Sequence, residues 1–326
     1  MQRIALSPVR RWGNRRQWWI IDAVRNDYVL CPDTRGYHKM HYTDWGDPLN
    51  SRVVVCVHGL TRNCRDFDFL ARAFASDCRV ICPDIVGRGQ SDWLLDKKDY
   101  GFPRYLSDMA VLLARVLWWP PGHSWLGRLR NFAMRRYGTR SLYWVGTSMG
   151  GVLGMLLAAQ PKSPIRKLVI NDVGPWIPRA FLERIGSYIV KDPRFPTFEE
   201  LEAYVRKISA PFGPLTDAQW HHLTRHNANQ HADGNWGMNY DPGIGLPFQQ
   251  GPLQDVDLWD IWDAITCPTL VLRGVQSDLL LPDVAEKMRA RGPRPRIVEF
   301  AGIGHAPTLM SEEQVAAVRD FFLMPE

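Results

Sequence analysis

A short glycine–serine segment in the middle of the chain constrains the fold more than any other feature. The segment Gly-Thr-Ser-Met-Gly, residues 146–150, follows the apolar run 142–145 and precedes a second apolar run over 152–159. A short apolar run before a turn indicates a strand that is buried on both faces, and the longer run after it indicates a helix. The sequence therefore predicts a sharp strand–turn–helix unit with Ser148 at the turn.

The two glycines indicate why this turn is tight. We expect a side chain at Gly146 or Gly150 to collide with a neighbouring strand or helix, because the turn holds the serine in a strained backbone conformation. Such a turn exposes the Ser148 hydroxyl, and the free N-terminal amides of the following helix point toward it. The pattern is typical of a nucleophile elbow, with the Met149 N–H as an oxyanion donor. Taken alone, the pentapeptide is equally compatible with a structural turn.

The rest of the chain alternates predicted strands and helices. This alternation indicates an α/β fold with a doubly wound, mostly parallel sheet. Residues 176–262 lose the alternation and contain helical patches, aromatic residues and Pro/Gly turns, which indicate a mainly helical cap inserted into the core. The core is thus predicted in two parts, residues 37–175 and 263–326. Strands are predicted at 39–46, 53–57, 79–84, 142–145, 167–172, 268–274 and 296–300, and helices at 64–77, 103–118, 178–190, 198–208, 216–228 and 311–323.

Two basic segments lie outside this pattern. Residues 1–40 and 120–140 each carry five more positive than negative charges, so the rest of the chain is mildly acidic although the net charge is +6. We interpret residues 1–36 as a basic surface arm, or as the result of a start assigned too early, with Met40 as the alternative start. A membrane-surface anchor is a further interpretation of the arm. The 120–140 segment is predicted to be a surface loop or a short added helix.

Composition argues against several classes of protein. The chain has no run of 18 apolar residues, so we predict no integral membrane segment, and it shows no secretory signal pattern. Its six cysteines form no C-x-x-C pair, which favours free thiols in a reducing cytoplasm over a disulfide framework. The mildly acidic remainder of the chain has no nucleic-acid-binding motif, so we expect a small-molecule partner and no nucleic acid. The oligomeric state is not predicted.

A serine nucleophile requires a base and an acid that orients the base. In an α/β sheet both are expected after the serine, on loops at the carboxyl ends of strands, with the acid before the histidine. His305 follows the strand that ends at residue 300, and Asp278 lies four residues after the strand that ends at residue 274. Asp172 is a rival acid, but it follows its strand with no loop to bring it round. We therefore predict the set Ser148, Asp278 and His305.

The loop after strand 53–57 is predicted to supply the second oxyanion donor. The Leu60 N–H is placed for this role, whereas His58 precedes it at the strand end and is expected to be a structural histidine. In the cap, His222 and His226 lie four residues apart, as a metal pair on a helix would. Neither an H-E-x-x-H motif nor a third ligand accompanies them, so we predict no metal site and no cofactor.

Together these motifs resemble those of the α/β-hydrolase family over about residues 37–324. The resemblance implies a lid between the sixth and seventh core strands. A serine at the nucleophile position argues against haloalkane dehalogenases and epoxide hydrolases. The Ser-Met-Gly-Gly elbow is similar to those of bacterial carboxylesterases, of C–C hydrolases that act on ring-cleavage products, and of cofactor-free haloperoxidases. The motifs that carry the resemblance are His58-Gly59, Asp84 through Asp92, Gly146 through Gly151, Ser277-Asp278 and Gly304-His305.

The predicted function is that of a serine esterase. We expect the chain to cleave carboxylic esters of small or medium acyl chain, including short hydroxyalkanoate oligomers, through an acyl-enzyme on Ser148. The aromatic cap indicates an apolar pocket, with Trp176, Trp236 and Tyr240 as substrate contacts. Two alternatives remain open: a non-catalytic hydrolase fold that binds a ligand, and a C–C bond hydrolase in which a cap arginine binds a carboxylate, from among Arg179, Arg184 and Arg206.

Overall fold

A computed structural model of the protein describes residues 24–118 and 140–324. The described chain has a central eight-stranded sheet in the order β1-β2-β4-β3-β5-β6-β11-β12, and two short strand pairs, β7 with β10 and β8 with β9. The strands are β1 (Arg25–Asp33), β2 (Gly36–Trp45), β3 (Arg52–Val57), β4 (Arg79–Pro83), β5 (Ser141–Thr147), β6 (Ile165–Asn171), β7 (Trp176–Ile177), β8 (Ala228–Gln230), β9 (Trp236–Met238), β10 (Val256–Asp257), β11 (Thr269–Gly274) and β12 (Arg296–Phe300).

Helices cover both faces of the large sheet. They are α1 (Asp68–Phe74), α2 (Phe102–Trp118), α3 (Met149–Ala158), α4 (Arg179–Ile189), α5 (Phe198–Ile208), α6 (Asp217–Asn227), α7 (Trp259–Asp263), α8 (Pro282–Ala290) and α9 (Glu312–Leu323). One apolar core lies between the sheet, α2, α3, α8 and the cap. A second core lies on the opposite face, between the sheet, α1 and α9.

The direction of the strands explains why the centre of the large sheet is buried. The six strands β3 to β6, β11 and β12 are parallel to one another, and only β1 and β2 run antiparallel to their neighbours. The side chains of Val53 to Val57 are at most 1% exposed, as expected of a parallel strand covered on both faces. The predicted doubly wound, mostly parallel fold is therefore confirmed.

The core was predicted to begin at residue 37, after an N-terminal arm, and this boundary was wrong for residues 25–36. Residues 25–33 form β1, which pairs along its full length with β2. Val29 and Cys31 are buried while Tyr28 and Leu30 between them are exposed, so this edge strand has apolar side chains on both faces and its alternation is hidden in the sequence. The interpretations of residues 1–23 and 119–139 lie outside the described residues.

The cap is inserted between β6 and β11, as predicted. Helices α4, α5 and α6 form most of it, and β7 pairs with β10 so that the two ends of the insertion meet. Threonine side chains cap two of these helices: Thr197 accepts the Glu200 N–H at the start of α5, and Thr216 forms a capping box with Gln219 at the start of α6. The cap contacts the core through Asn63, whose amide donates to the Asn227 side chain at 3.0 Å.

Two further predictions concern the described residues as a whole. All six cysteines are free thiols, and five of them are buried. No helix among the described residues has both the length and the apolar character that a membrane crossing requires.

Candidate active site

Ser148 lies in the tight turn between β5 and α3. Its backbone has φ 52° and ψ −116°, a combination that L-residues rarely adopt. A Cβ atom at Gly146 would lie 2.1 Å from the Gly150 carbonyl oxygen, and a Cβ atom at Gly150 would lie 2.0 Å from the Val57 carbonyl oxygen. The predicted collisions with a neighbouring helix and strand are therefore confirmed, and only glycine fits both positions.

His305 lies on the loop after β12 and faces the serine. Its Nε2 atom is 3.0 Å from Ser148 Oγ, which is hydrogen-bond distance for a base and its nucleophile. The Phe181 ring of α4 packs edge-on against the imidazole, with 5.3 Å between the ring centroids. The cap therefore contacts the predicted base directly.

The predicted acid, Asp278, is not beside the histidine. Asp172 Oδ2 lies 2.8 Å from His305 Nδ1, whereas Asp278 is 55% exposed and pairs with Arg184 of the cap at 2.8 Å. Asp172 needs no loop because it has φ 56°, and this left-handed conformation is one that aspartate tolerates better than most residues. The residue that follows β6 thus takes the place that the sequence analysis assigned to a residue after β11.

The buried Asp172 carboxylate has several donors. It accepts the Gly274 N–H at 2.9 Å and the Ser277 hydroxyl at 2.7 Å, in addition to the imidazole. A fully buried carboxylate without such donors would be costly. Because the carboxylate accepts the Nδ1–H of His305, the Nε2 lone pair faces Ser148 and is free to accept its proton.

Asn171 connects the two loops that hold the serine and the histidine. Its side-chain amide donates to Thr147 Oγ1 at 3.0 Å and to the Pro307 carbonyl at 2.8 Å. Its own backbone carbonyl accepts the Ser148 N–H at 2.9 Å. Asn171 was not among the predicted site residues, although an asparagine at the end of a buried strand is unusual and indicates a specific partner.

The two predicted oxyanion donors lie close to the serine. Gly59, directly before Leu60, approaches so closely that a Cβ atom on it would be 3.7 Å from Ser148 Cβ. Met149 is the first residue of α3, where backbone N–H groups have no intrahelical acceptor. Neither the Leu60 N–H nor the Met149 N–H has an acceptor among the described residues. Both amides are therefore free to bind a ligand oxygen.

His58 has the structural role that the sequence predicted. Its Nε2 accepts the Ile85 N–H at 3.0 Å, and its Nδ1–H donates to the Gly59 carbonyl at 2.7 Å. Burial lowers the pKa of His58 to about 4, so the ring is neutral at physiological pH. Both of its ring nitrogens are bonded to backbone groups, so it fixes the loop that carries Leu60.

A cavity of about 250 Å³ opens beside Ser148 and His305, between the core and the cap. The predicted substrate contacts Trp176, Trp236 and Tyr240 do not line it. Trp236 packs against the Phe198 ring, with 5.4 Å between the ring centroids, and Tyr240 is buried in the apolar core. On the cap side, one wall of the cavity is instead formed by one face of α4, with residues Phe181, Arg184, Ile185 and Tyr188. Their spacing along the helix is the sequence signal that identifies this wall.

Three groups of side chains in the described residues have metal-ligand chemistry. Each brings three ligand atoms within 4.8 Å of one another, but the groups also make internal hydrogen bonds and ion pairs: His38 Nε2, for example, is 2.9 Å from Asp108 Oδ2. The predicted absence of a metal or cofactor stays a prediction. The groups are Cys31, His38 and Asp108; His41, Cys64 and Asp84; and Asp68, His222 and His226.

Comparison with known proteins agrees with the fold. The model of the alpha/beta hydrolase family matches residues 54–318, so the chain belongs to the alpha/beta hydrolase family. A protein of Cupriavidus necator named 3-hydroxybutyrate-oligomer hydrolase is 44% identical over 308 residues, which cover 92% of this chain and 98% of that protein. The solved structure of an alpha/beta hydrolase from Novosphingobium aromaticivorans has 34% identity and a TM-score of 0.76, covering 91% of this chain and 97% of that one. A solved structure from Rickettsia typhi has 28% identity and a TM-score of 0.80, covering 93% and 100%.

Proposed function

We propose that this protein hydrolyses the ester bonds of short 3-hydroxyalkanoate oligomers through an acyl-enzyme on Ser148. The proposal rests on a chain of two hydrogen bonds. Ser148 Oγ lies 3.0 Å from His305 Nε2, and His305 Nδ1 lies 2.8 Å from Oδ2 of the buried Asp172 carboxylate. Ser148 and His305 line a cavity of about 250 Å³. The Cupriavidus necator relative, which covers nearly the whole chain, supports this class of substrate.

The first half of the reaction forms the acyl-enzyme. His305 Nε2 takes the Ser148 proton while the serine oxygen attacks the ester carbonyl carbon. The carbonyl oxygen becomes an oxyanion, which the Leu60 and Met149 N–H groups stabilise; one such donor typically contributes a factor of about 10²–10³ in rate. As the tetrahedral intermediate collapses, the carbon–oxygen ester bond breaks and His305 gives its proton to the leaving alcohol oxygen.

The second half of the reaction releases the acid. A water molecule enters the position of the departed alcohol and gives a proton to His305 Nε2 as it attacks the acyl carbon. The same two amides stabilise the second oxyanion. Collapse then returns the proton to the serine oxygen and frees the carboxylic acid. Throughout the cycle Asp172 stabilises the imidazolium and keeps its Nδ1–H oriented, without becoming protonated itself.

The proposal is tested by hydrolysis of purified 3-hydroxybutyrate trimer and of p-nitrophenyl esters with two- to twelve-carbon acyl chains. We expect turnover of the trimer and of the short esters, and loss of both in the Ser148→Ala variant with its circular dichroism spectrum retained. An active Ser148→Ala variant contradicts the proposal. A folded wild-type protein that hydrolyses none of these substrates also contradicts it, and directs attention to C–C hydrolysis or ligand binding.

We also infer a cytoplasmic location from the thiols. Free cysteines persist in a reducing compartment, and all six cysteines of this chain are free thiols. Fractionation of cells that express the protein at its natural level tests this inference. Recovery with the periplasmic or membrane fraction contradicts it.

A further inference from the structure

Two arginines line the cavity beside the serine, and one of them is already neutralised. Arg62 gives Nε and Nη2 to the two carboxylate oxygens of Asp66, at 2.8 and 2.6 Å. This pairing uses the bidentate geometry in which guanidinium and carboxylate fit best. The Arg62 side chain is only 11% exposed. Asp66 therefore already balances the charge of Arg62, in the geometry that a ligand carboxylate would otherwise use.

Arg184 has a different environment. Its Nη2 lies 2.8 Å from a single oxygen of Asp278, and the two side chains are 46% and 55% exposed. An ion pair through one oxygen in water contributes little stability. The Nε and Nη1 groups of Arg184 have no hydrogen-bond partner in the described parts of the chain. The guanidinium is therefore free to bind a second carboxylate.

The position of Arg184 relative to the reacting atoms follows from α4. Arg184 lies one turn after Phe181, and its guanidinium carbon is 4.9 Å from the centroid of the Phe181 ring. The same ring packs against His305 with 5.3 Å between centroids. The guanidinium carbon therefore lies no more than about 10 Å from the imidazole, along the wall of the cavity that holds both residues.

We propose that Arg184 binds the free carboxylate of the oligomer, so that the enzyme cuts the ester bond nearest the carboxyl end. This inference rests on the proposed function above. Each turnover then breaks the terminal ester bond, transfers the rest of the oligomer to Ser148 and releases one hydroxy acid as the leaving alcohol, with its new hydroxyl proton supplied by His305. The enzyme thus shortens its substrate by one unit at a time.

The length of one hydroxybutyrate unit fits this arrangement. Four covalent bonds separate the scissile carbonyl carbon from the terminal carboxylate carbon, which gives a reach of about 5 Å at ordinary bond lengths. A guanidinium–carboxylate pair with hydrogen bonds of normal length spans about 4 Å more between its carbon atoms. Together they come to about 9 Å, which lies within the limit of about 10 Å that the two ring contacts set for the distance from Arg184 to the imidazole. A second unit would add about 5 Å and place the carboxylate beyond the guanidinium.

The cleavage position is tested with a trimer in which only the carboxyl-terminal unit carries carbon-13. The products are separated and weighed by mass spectrometry during the first tenth of the reaction. We expect the released monomer to carry the label and the dimer to be unlabelled. A labelled dimer with an unlabelled monomer means that the enzyme cuts from the hydroxyl end, and overturns the proposal.

The role of Arg184 is tested with the dimer and its methyl ester, in which an uncharged ester replaces the carboxylate, and only cleavage of the internal ester bond is counted. For Arg184→Gln we expect the ratio of kcat/KM for the acid to that for the methyl ester to fall roughly tenfold, as for a charged hydrogen-bonded pair in a partly exposed site. Arg184→Lys should recover part of the ratio, since it keeps the charge but loses the planar fork. The control is Arg179→Gln, which removes the same charge from the same helix at a residue that does not line the cavity.

The outcomes separate this inference from the function on which it rests. If the wild type hydrolyses both substrates and Arg184→Gln has the same ratio as Arg179→Gln, Arg184 does not bind the carboxylate and only this inference fails. If the wild type hydrolyses neither substrate, the proposed function itself fails. A ratio that falls in the Arg184 variant alone supports both.

Discussion

At the scale of single residues, the site depends on the buried carboxylate of Asp172. Its contacts with the Gly274 N–H, the Ser277 hydroxyl and His305 fix the plane of the carboxylate and the tautomer of the imidazole. In the Asp172→Asn variant, the side-chain amide would present a donor or a weaker acceptor to Nδ1. We expect kcat/KM for p-nitrophenyl butyrate to fall by about 10³–10⁴, the loss typical of a histidine held in the wrong tautomer.

The comparison variant is Asp278→Asn. Asp278 touches Arg184 at the cavity wall and has no contact with His305. We expect its kcat/KM for the same ester to change by less than about tenfold, since it alters only an exposed ion pair. A large loss in Asp278→Asn with a small loss in Asp172→Asn would restore the assignment made from the sequence.

The two acids show what the residue pattern alone can determine. Ser148 and His305 were predicted because each has a distinctive local motif and a fixed order along the chain. Both aspartates also follow strands that end at the same edge of the sheet, so their order does not distinguish them. The positive φ of Asp172 brings its carboxylate to His305. That angle depends on the contacts with β11, which local sequence does not encode.

At the scale of the elements, the elbow requires close contact between α3 and β3. A Cβ atom at Gly150 would lie 2.0 Å from the Val57 carbonyl oxygen, which belongs to the backbone and cannot rotate away. We expect Gly150→Ala to lower the free energy of unfolding by about 1–3 kcal/mol or more, the usual cost of overpacking. Urea unfolding followed by circular dichroism measures this change.

The control for the elbow is Gly101→Ala. A Cβ atom at Gly101 would have its nearest neighbour at 3.7 Å, an ordinary contact. We expect a change within about 0.5 kcal/mol, as for substitutions away from special features. Equal effects of the two variants would mean that the elbow tolerates a side chain and that its glycines are not required by packing.

The cap shows a similar limit of prediction for elements. Its helices were predicted with nearly correct bounds from their apolar periodicity, but the side chains that face the cavity were not. Trp176, Trp236 and Tyr240 were selected because they are aromatic, whereas they pack within the cap or against the core. The orientation of α4 over the serine decides which face lines the cavity, and this orientation is a tertiary feature.

At the scale of the whole molecule, two histidines that folding removes wholly or partly from water link stability to pH. Burial and the nearby charge of Arg65 lower the pKa of His226 to about 4, against about 6.5 in an unfolded chain. Between these values the unfolded state binds more protons than the folded state, so the contribution of His226 to stability falls as the pH drops from about 6.5 to 4. His58 acts in the same direction, since burial lowers its pKa also to about 4.

The sign is tested by unfolding the wild type and His226→Gln in urea at several pH values. In this pH range we expect the free energy of unfolding of the variant to depend less steeply on pH than that of the wild type. The difference in slope corresponds to at most one proton, or about 1.4 kcal/mol per pH unit. The contribution of His38 to stability changes with pH in the opposite direction. Burial lowers the pKa of His38, but contact with Asp108 and Asp33 outweighs burial, so the pKa is raised. Its contribution is therefore present at low pH and lost as the pH rises through the raised value. An unchanged slope in His226→Gln contradicts the assignment.

Most of the architecture follows from sequence because the signals are local and strong. Continuous apolar strands, an inserted helical segment and the elbow together define the sheet, the cap and the nucleophile. The edge strand β1 was missed because it has apolar residues on both faces, and edge strands lack the burial on both faces that marks the central ones. A pocket beside the cap was predicted, but most of the residues that line it were not, because they belong to segments that are far apart in the chain.

The most direct measurement is mass spectrometry of the protein after rapid mixing with the 3-hydroxybutyrate trimer and quenching in acid. We predict a covalent adduct with the mass of hydroxybutyryl units, located by digestion on the peptide that contains Ser148 and absent from Ser148→Ala. Trimer hydrolysis by a Ser148→Ala protein, or an adduct on any other residue, would show that Ser148 is not the nucleophile.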